Sequence, residues 1–268
     1  MYSEIEINNW LKKMWLDYCK MNPQSQAIEE LLVKKGEIII NDHIALRTFN
    51  HPSMNIKVFQ KLIEKLGYKE KEHYEFVEKK LHAVHFEHSN EILPKIFVSE
   101  LLVEKCSGLI QETVTNLAQS VTPEFTSNID FMMKGRPWEM SYQVYEKIAK
   151  ESEYASWLSA HGFRPNHFTV AIHFLKTFND IRKINSLLQE NNFKLNQSGG
   201  VIKGSISEFL EQSSTMAGEI PVQFNEGVYN IPGCYYEFAQ RYKMPNGKLF
   251  HGFVAKSADK IFESTNKN

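Results

Sequence analysis

Cysteine is scarce in this sequence. Cys19, Cys106 and Cys234 are far apart, odd in number and free of any CxxC spacing. That excludes a disulfide framework or a cysteine-rich zinc site and fits a reducing compartment. Neither sign of charge is in excess: 31 Lys+Arg against 32 Asp+Glu leave a net charge of -1, so no global field draws in nucleic acid or anionic lipid. The pairs Lys12-Lys13 and Lys79-Lys80 are too short to act as nucleic-acid patches. No uncharged apolar run approaches the ~18 residues of a membrane span. The opening Met-Tyr-Ser-Glu-Ile-Glu is acidic where a signal peptide is basic, and no apolar stretch follows. Gly199-Gly200 lacks the strand–GxGxxG–helix context of a dinucleotide site and reads as a turn. The expectation is a soluble cytoplasmic protein with neither a nucleic-acid nor a membrane partner; oligomeric state is left open.

What is present is globular. Of 268 residues, 42% are apolar, 24% charged and 12% aromatic, enough to bury a core without staples. Ile5, Ile7, Leu11, Met14, Trp15 and Tyr18 follow a helical period before Pro23, and Ala27 to Val33 reads as a second short helix. From Asp42 the texture changes to a strand bounded by His51-Pro52. A helix with Val58, Phe59, Leu62, Ile63 and Leu66 follows and stops at Gly67. Three strand-like runs come next, at 68–77, 80–88 and 95–101, giving the order βαβββ.

That order recurs. A strand over 166–174 precedes a helix over 178–192, then strand-like pieces at 194–202, 209–216 and 220–224, and a last strand at 234–242 after Pro232-Gly233. The openings Asn41-Asp42-His43-Ile44-Ala45-Leu46 and Pro165-Asn166-His167-Phe168-Thr169-Val170 match, and each closing strand carries a glutamate, Glu100 or Glu237. We read a diverged internal duplication. The fold class expected is α+β: paired βαβββ modules forming a curved mixed sheet around a metal site, with additional peripheral helices. One domain spans 1–268, with N-terminal helices at 1–39, the first module at 40–103, a helical insert at 104–160, and the second module with a C-terminal tail at 161–268.

Side chains alternate along a strand, so His43, Ala45 and Arg47 share one face, as do His167 and Thr169, and Tyr235, Glu237 and Arg241. A pseudo-twofold axis would bring two histidines and one carboxylate to one cavity. That donor set, with positions left open for substrate and oxygen, suits non-haem Fe(II). A lone strand histidine is more often a satisfied packing residue; the paired placement argues otherwise. Three further histidines, His82, His85 and His88, cannot converge on a strand, because the middle one faces away.

Four segments then stand out: Asn41-Asp42-His43-Ile44-Ala45-Leu46-Arg47-Thr48-Phe49, Arg164-Pro165-Asn166-His167-Phe168-Thr169, Glu211-Gln212-Ser213-Ser214-Thr215, and Ile231-Pro232-Gly233-Cys234-Tyr235-Tyr236-Glu237-Phe238-Ala239. Together they resemble the 2-oxoadipate dioxygenase/decarboxylase family, the hydroxyglutarate synthases, within the vicinal oxygen chelate superfamily. The resemblance implies an Fe(II) enzyme that converts 2-oxoadipate and O2 to 2-hydroxyglutarate and CO2. It also implies iron ligands His43, His167 and Glu237, with Arg47 as a substrate-carboxylate anchor. Arg47 lies roughly 13 Å along the strand from His43, too far to touch the metal. Its guanidinium fork suits the far end of a chelated oxo acid. Arg241, Gln212 and Ser214 are further candidate substrate-binding residues. The resemblance assigns a single carboxylate, so Glu100 is expected beside a ligating histidine and not on the metal. Two other readings stay open: a glyoxalase-type isomerase or lyase using Zn2+ or Ni2+, and a non-catalytic small-molecule-binding protein.

Overall fold

The computed structural model describes residues 2–265. Helix α1, Glu4–Met21, opens on a capping box: the Ser3 hydroxyl accepts from the Glu6 N–H, and the Glu6 carboxylate accepts from the Ser3 N–H. Its buried stripe is Ile7, Trp10, Met14 and Tyr18, the i, i+3, i+7 spacing of one helical face. Helix α2, Pro23–Lys34, starts with a proline, whose missing N–H has no helical partner to lose.

The first module comprises β1 (Asn41–Phe49), α3 (Ile56–Ile63), β2 (Lys69–Phe76), β3 (Leu81–Glu87) and β4 (Lys95–Leu101). After it come α4 (Gly108–Ala118), α5 (Tyr142–Ala149) and α6 (Glu153–His161). Within the stretch expected as a helical insert at 104–160, α5 and α6 are separate helices; the Ser152 hydroxyl caps the second by accepting from the Ala155 N–H. The second module holds β5 (Pro165–Ala171), α7 (Ile181–Glu190), β6 (Lys203–Ser205), β7 (Leu210–Ser214), β8 (Glu219–Phe224), β9 (Gly227–Pro232) and β10 (Tyr235–Arg241), and α8 (Ala255–Phe262) follows it.

Eight strands form one sheet in the order β2-β3-β4-β1-β5-β10-β7-β6. Read outwards from the centre, β1-β4-β3-β2 and β5-β10-β7-β6 have the same topology, so the duplication is real in three dimensions. The halves join where β1 runs antiparallel to β5, while β4 and β10 lie parallel to β1 and β5 respectively. The expected α+β class and paired modules hold, with two corrections. The stretch 194–202 is not a strand: it makes only an isolated bridge at Leu195 and turns at Gly199-Gly200, both at positive φ, so the strand β6 comes after it. The 220–224 strand does not enter this sheet; it pairs with β9, which the sequence did not suggest, in a separate hairpin. That hairpin is the insertion that lengthens the second half.

Both faces of the central strands are covered. On the outer face, Phe168 of β5 packs on Trp15 and Tyr18 of α1, and Tyr236 of β10 packs on Trp15. The inner face, carrying His43, His167 and Glu237, is closed by α6 and α8. The second of these was read only as a tail: Ser257, Ile261 and Phe262 are buried, but eight residues with a single apolar stripe give too short a pattern to be distinctive.

Candidate metal centre

Strand register brings the three donors together. His43 pairs with Thr169 across β1 and β5, and Glu237 pairs with Thr169 across β10 and β5, so His43 and Glu237 flank one rung. His167 sits on the next rung, between Ala45 and Tyr235. His167 Nε2 lies 3.4 Å from His43 Nε2 and 3.1 Å from Glu237 Oε2, and His43 Nε2 lies 3.7 Å from Glu237 Oε1. Adjacent donors around a metal at about 2.1 Å are themselves about 3 Å apart, so these separations fit one ion. Among the described residues this is the one group of three or more His, Cys, Asp or Glu side chains that could hold a metal.

Electrostatics favour the same occupant. Burial lowers the pKa of both His43 and His167, which keeps their imidazoles neutral and their lone pairs available. Burial also pushes the Glu237 carboxyl up to about 8, against a hydrogen bond from Gln212 Nε2 at 2.6 Å. Two basic nitrogens and a carboxyl left without a compensating charge are an unfavourable buried set, and a divalent cation supplies what they lack.

His43 is held from behind. Its Nδ1 is 2.7 Å from Asp42 Oδ1, so Nε2 is turned to the centre. Asp42 is gripped in turn by Arg241, with Nε at 2.6 Å and Nη2 at 2.8 Å. Burial acts to raise the Asp42 pKa, but Arg241, Lys95 and the hydrogen bonds from His43 and Arg241 hold it well below the usual carboxylate range.

The space over the donors measures about 20 Å3, about enough for one water. Its remaining walls include Phe97, Tyr235, Phe253, Ala258, Ile261 and Phe262. The last three come from α8, which therefore covers the centre.

Comparison with known proteins decides the lineage. Residues 12–251 match the family model described as 2-oxoadipate dioxygenase/decarboxylase. The chain belongs to the 2-oxoadipate dioxygenase/decarboxylase family. The chloroplastic 2-oxoadipate dioxygenase/decarboxylase of Arabidopsis thaliana is 33% identical over 95% of this chain and 76% of its own length. The crystal structure of the hydroxyglutarate synthase in complex with 2-oxoadipate from Oryza sativa superposes with a TM-score of 0.92 at 32% identity, covering 97% of this chain and 91% of that one. A crystal structure from Shewanella frigidimarina NCIMB 400 gives a TM-score of 0.90 at 45% identity over 95% and 99%.

Within this family fold, the remaining candidates sort by contact. Arg47, 1% exposed, lies over the rings of Tyr154, Trp157 and Phe262 and pairs with Glu153 through Nη1 at 2.8 Å. Gln212 lines the space over the donors and has an unpartnered Oε1 among the described residues. Ser214, by contrast, directs its hydroxyl to Ser264 at 2.8 Å. Arg241 is committed to Asp42 and to the carbonyls of Phe250 and Gly252. That places it behind His43 and not at an anionic substrate end.

Glu100 is not beside a ligating histidine. It accepts from the Ile56 N–H at 2.9 Å and lies 3.3 Å from His82. Its register partner on β1 is Thr48, whose parity is opposite to that of His43, so it faces the far side of the sheet. His82, His85 and His88 do not converge: His85 contacts Tyr74 and Glu87, His82 contacts His73 and Glu100, and His88 accepts from the Asn90 N–H. Asp42, Tyr235 and the α8 residues were missed. The aspartate's adjacency to His43 was the available signal; nothing in the tail's sequence pointed to the site.

Proposed function

We propose that this chain converts 2-oxoadipate and O2 to 2-hydroxyglutarate and CO2 with Fe(II) held by His43, His167 and Glu237. Family membership and the buried two-histidine, one-carboxylate set carry the reading. Three protein donors leave positions open on a six-coordinate ion, which suits Fe(II) oxygen chemistry. The iron, when bound, supplies the electrons and the meeting point that O2 and a 2-oxo acid need.

The chain does the rest. Asp42 fixes the His43 ring, and Gln212 orients the Glu237 carboxylate. Arg47, two rungs along β1 from His43, anchors the substrate's far carboxylate while its Nη1 stays on Glu153. Phe97, Phe253, Ile261 and Phe262 keep water from the reacting centre. The Gln212 Oε1, unpartnered among the described residues, is an acceptor, so it suits the hydroxyl of a 2-hydroxy acid product and not the carboxylate or keto oxygens of the substrate. Among the described residues no helix is long and apolar enough to cross a membrane. A cytoplasmic setting is part of this reading, although the Arabidopsis relative is named chloroplastic.

The test is reconstitution with Fe(II) and measurement of O2 uptake on adding 2-oxoadipate, with products identified by mass spectrometry. Equal release of CO2 and 2-hydroxyglutarate is expected, lost with iron retention in His43→Ala or Glu237→Ala. Turnover that persists without O2 would replace this reading with an isomerase or lyase.

A further inference from the structure

Two buried side chains, Tyr235 in the wall of the metal cavity and Arg47 against its Phe262 wall, carry polar atoms without a partner among the described residues. Tyr235 is fully buried at the start of β10, and its phenol oxygen makes no hydrogen bond among the described residues. Arg47 uses Nη1 on Glu153, reaches Thr265 from Nη2 only at 3.4 Å, and leaves Nε without a partner among the described residues. Buried donors are nearly always paired, so two orphans beside one cavity call for a physical explanation. Tyr236 also has an unpartnered buried hydroxyl, but its side chain lies on the opposite face of the sheet, packed on Trp15 and away from the donors. The space beside Tyr235 is about 20 Å3.

Register gives these two groups a shared direction. His43 and Glu237 flank one rung of the sheet, Tyr235 lies on the next with His167, and Arg47 is two residues beyond Ala45 of that second rung. Tyr235 therefore stands on the rung between the His43–Glu237 rung and Arg47. Its ring is fixed by stacking on the His167 imidazole, with centroids 4.6 Å apart. The adjacent Nε–H and Nη2–H of Arg47 form a two-pronged edge that matches a carboxylate, while Nη1 remains on Glu153.

We propose that Tyr235 is the specificity-determining residue of this pocket: its O–H and the Nε/Nη2 edge of Arg47 together bind the distal carboxylate, selecting dicarboxylic over monocarboxylic 2-oxo acids. This rests on the 2-oxo-acid reading above and adds to it the residue that reads the second acid group. A site built to hydrogen-bond such a group discriminates strongly against an analogue without it, because its buried donors are then left unpaired. With 2-oxoadipate bound, both orphans gain an acceptor. With an analogue of the same chain length ending in a methyl group, neither does.

The experiment compares 2-oxoadipate with 2-oxohexanoate by calorimetric titration of the Fe(II)-loaded protein under anaerobic conditions, in wild type and in Tyr235→Phe. Wild type is expected to bind 2-oxoadipate at least tenfold more tightly. Tyr235→Phe is expected to weaken 2-oxoadipate about tenfold, the effect of one hydrogen bond to a charged group, and to leave 2-oxohexanoate unchanged. The substitution keeps the ring and removes an unpaired hydroxyl, so the metal-free variant should melt no lower than wild type. A lower melting temperature would mean that the hydroxyl is already engaged, and would overturn the proposal. Equal weakening of both acids would do the same, by assigning Tyr235 to the support of His167. So would an unchanged affinity for 2-oxoadipate. A wild type that binds both acids equally removes the role of Tyr235 and leaves the 2-oxo-acid reading standing. One that binds neither brings down that reading and this inference with it.

Discussion

Phe97 holds on β4 the position that Glu237 holds on β10. Phe97 lies across from Ala45, two residues after His43, and Glu237 lies across from Thr169, two residues after His167. The duplication therefore yields two histidines but one carboxylate, with a phenyl ring forming the cavity wall where a second carboxylate would stand. Matching the closing strands by their glutamates is three residues out of register.

This asymmetry is testable. Phe97→Glu should add a fourth donor, hold iron at least as well as wild type, and lose O2 uptake because an open position is taken. Iron content and oxygen consumption, measured on the same preparation, check it. Glu100→Ala should leave iron content unchanged and cost only about 1 kcal/mol by denaturant unfolding, the value of a helix-start hydrogen bond. Loss of iron in that variant would contradict the register argument.

The Asp42–Arg241 pair is both structural and directional. Asp42→Asn leaves a buried guanidinium without its counter-charge, so metal-free protein should lose about 3 kcal/mol. It also weakens the grip on His43 Nδ1, and metal affinity should fall between about 10- and 100-fold. Urea unfolding and competitive metal titration separate the two effects. Unchanged affinity despite the lost stability would show that the pair does not orient His43.

Helix α8 stands over the centre, and about 20 Å3 cannot admit a six-carbon dicarboxylate. The helix must move for substrate to bind, and Phe262, which touches both the cavity and the Arg47 guanidinium, is the contact that resists. Phe262→Ala should speed substrate association under anaerobic stopped-flow conditions. It should also cost about 3 kcal/mol in the closed protein, as for a buried phenylalanine. An unchanged association rate would show that substrate enters elsewhere.

One histidine outside the centre sets an acid limit. Burial pushes His161 down to about 4; the Pro232 carbonyl at 2.9 Å opposes that, and Arg164, Arg136 and Arg47 reinforce it. A histidine depressed in the folded state binds its proton more readily once unfolded, so stability rises with pH between about 4 and the ordinary value of about 6.5. His161 alone should accordingly take up to about 3 kcal/mol from stability as pH drops through that window, and His173, which burial also pushes down to about 4, adds to the fall. In His161→Gln the same stretch of the unfolding-against-pH curve should flatten; an equally steep curve would place the acid sensitivity elsewhere.

Much of this was legible in one dimension. Strand alternation alone puts His43 with Arg47, and His167 with Thr169, because a period of two is a local property of the backbone. The N-terminal helix and the α3 and α7 stripes were equally local. Short, solvent-alternating β9 and the eight-residue α8 were not, since each carries too few residues for a period to stand out.

The sequence by itself determined the chemistry available: two histidines and a glutamate on strands of a duplicated module, with an arginine further along the same face. Tertiary structure decided which groups meet. Only strand register could show that Phe97, and not Glu100, is the counterpart of Glu237, since a single-residue slip turns a side chain to the other face. Only packing could commit Arg241 to Asp42, leave the Tyr235 hydroxyl without a partner among the described residues, and lay α8 across the centre. These are contacts between residues distant in the chain, where no local periodicity reports the distance.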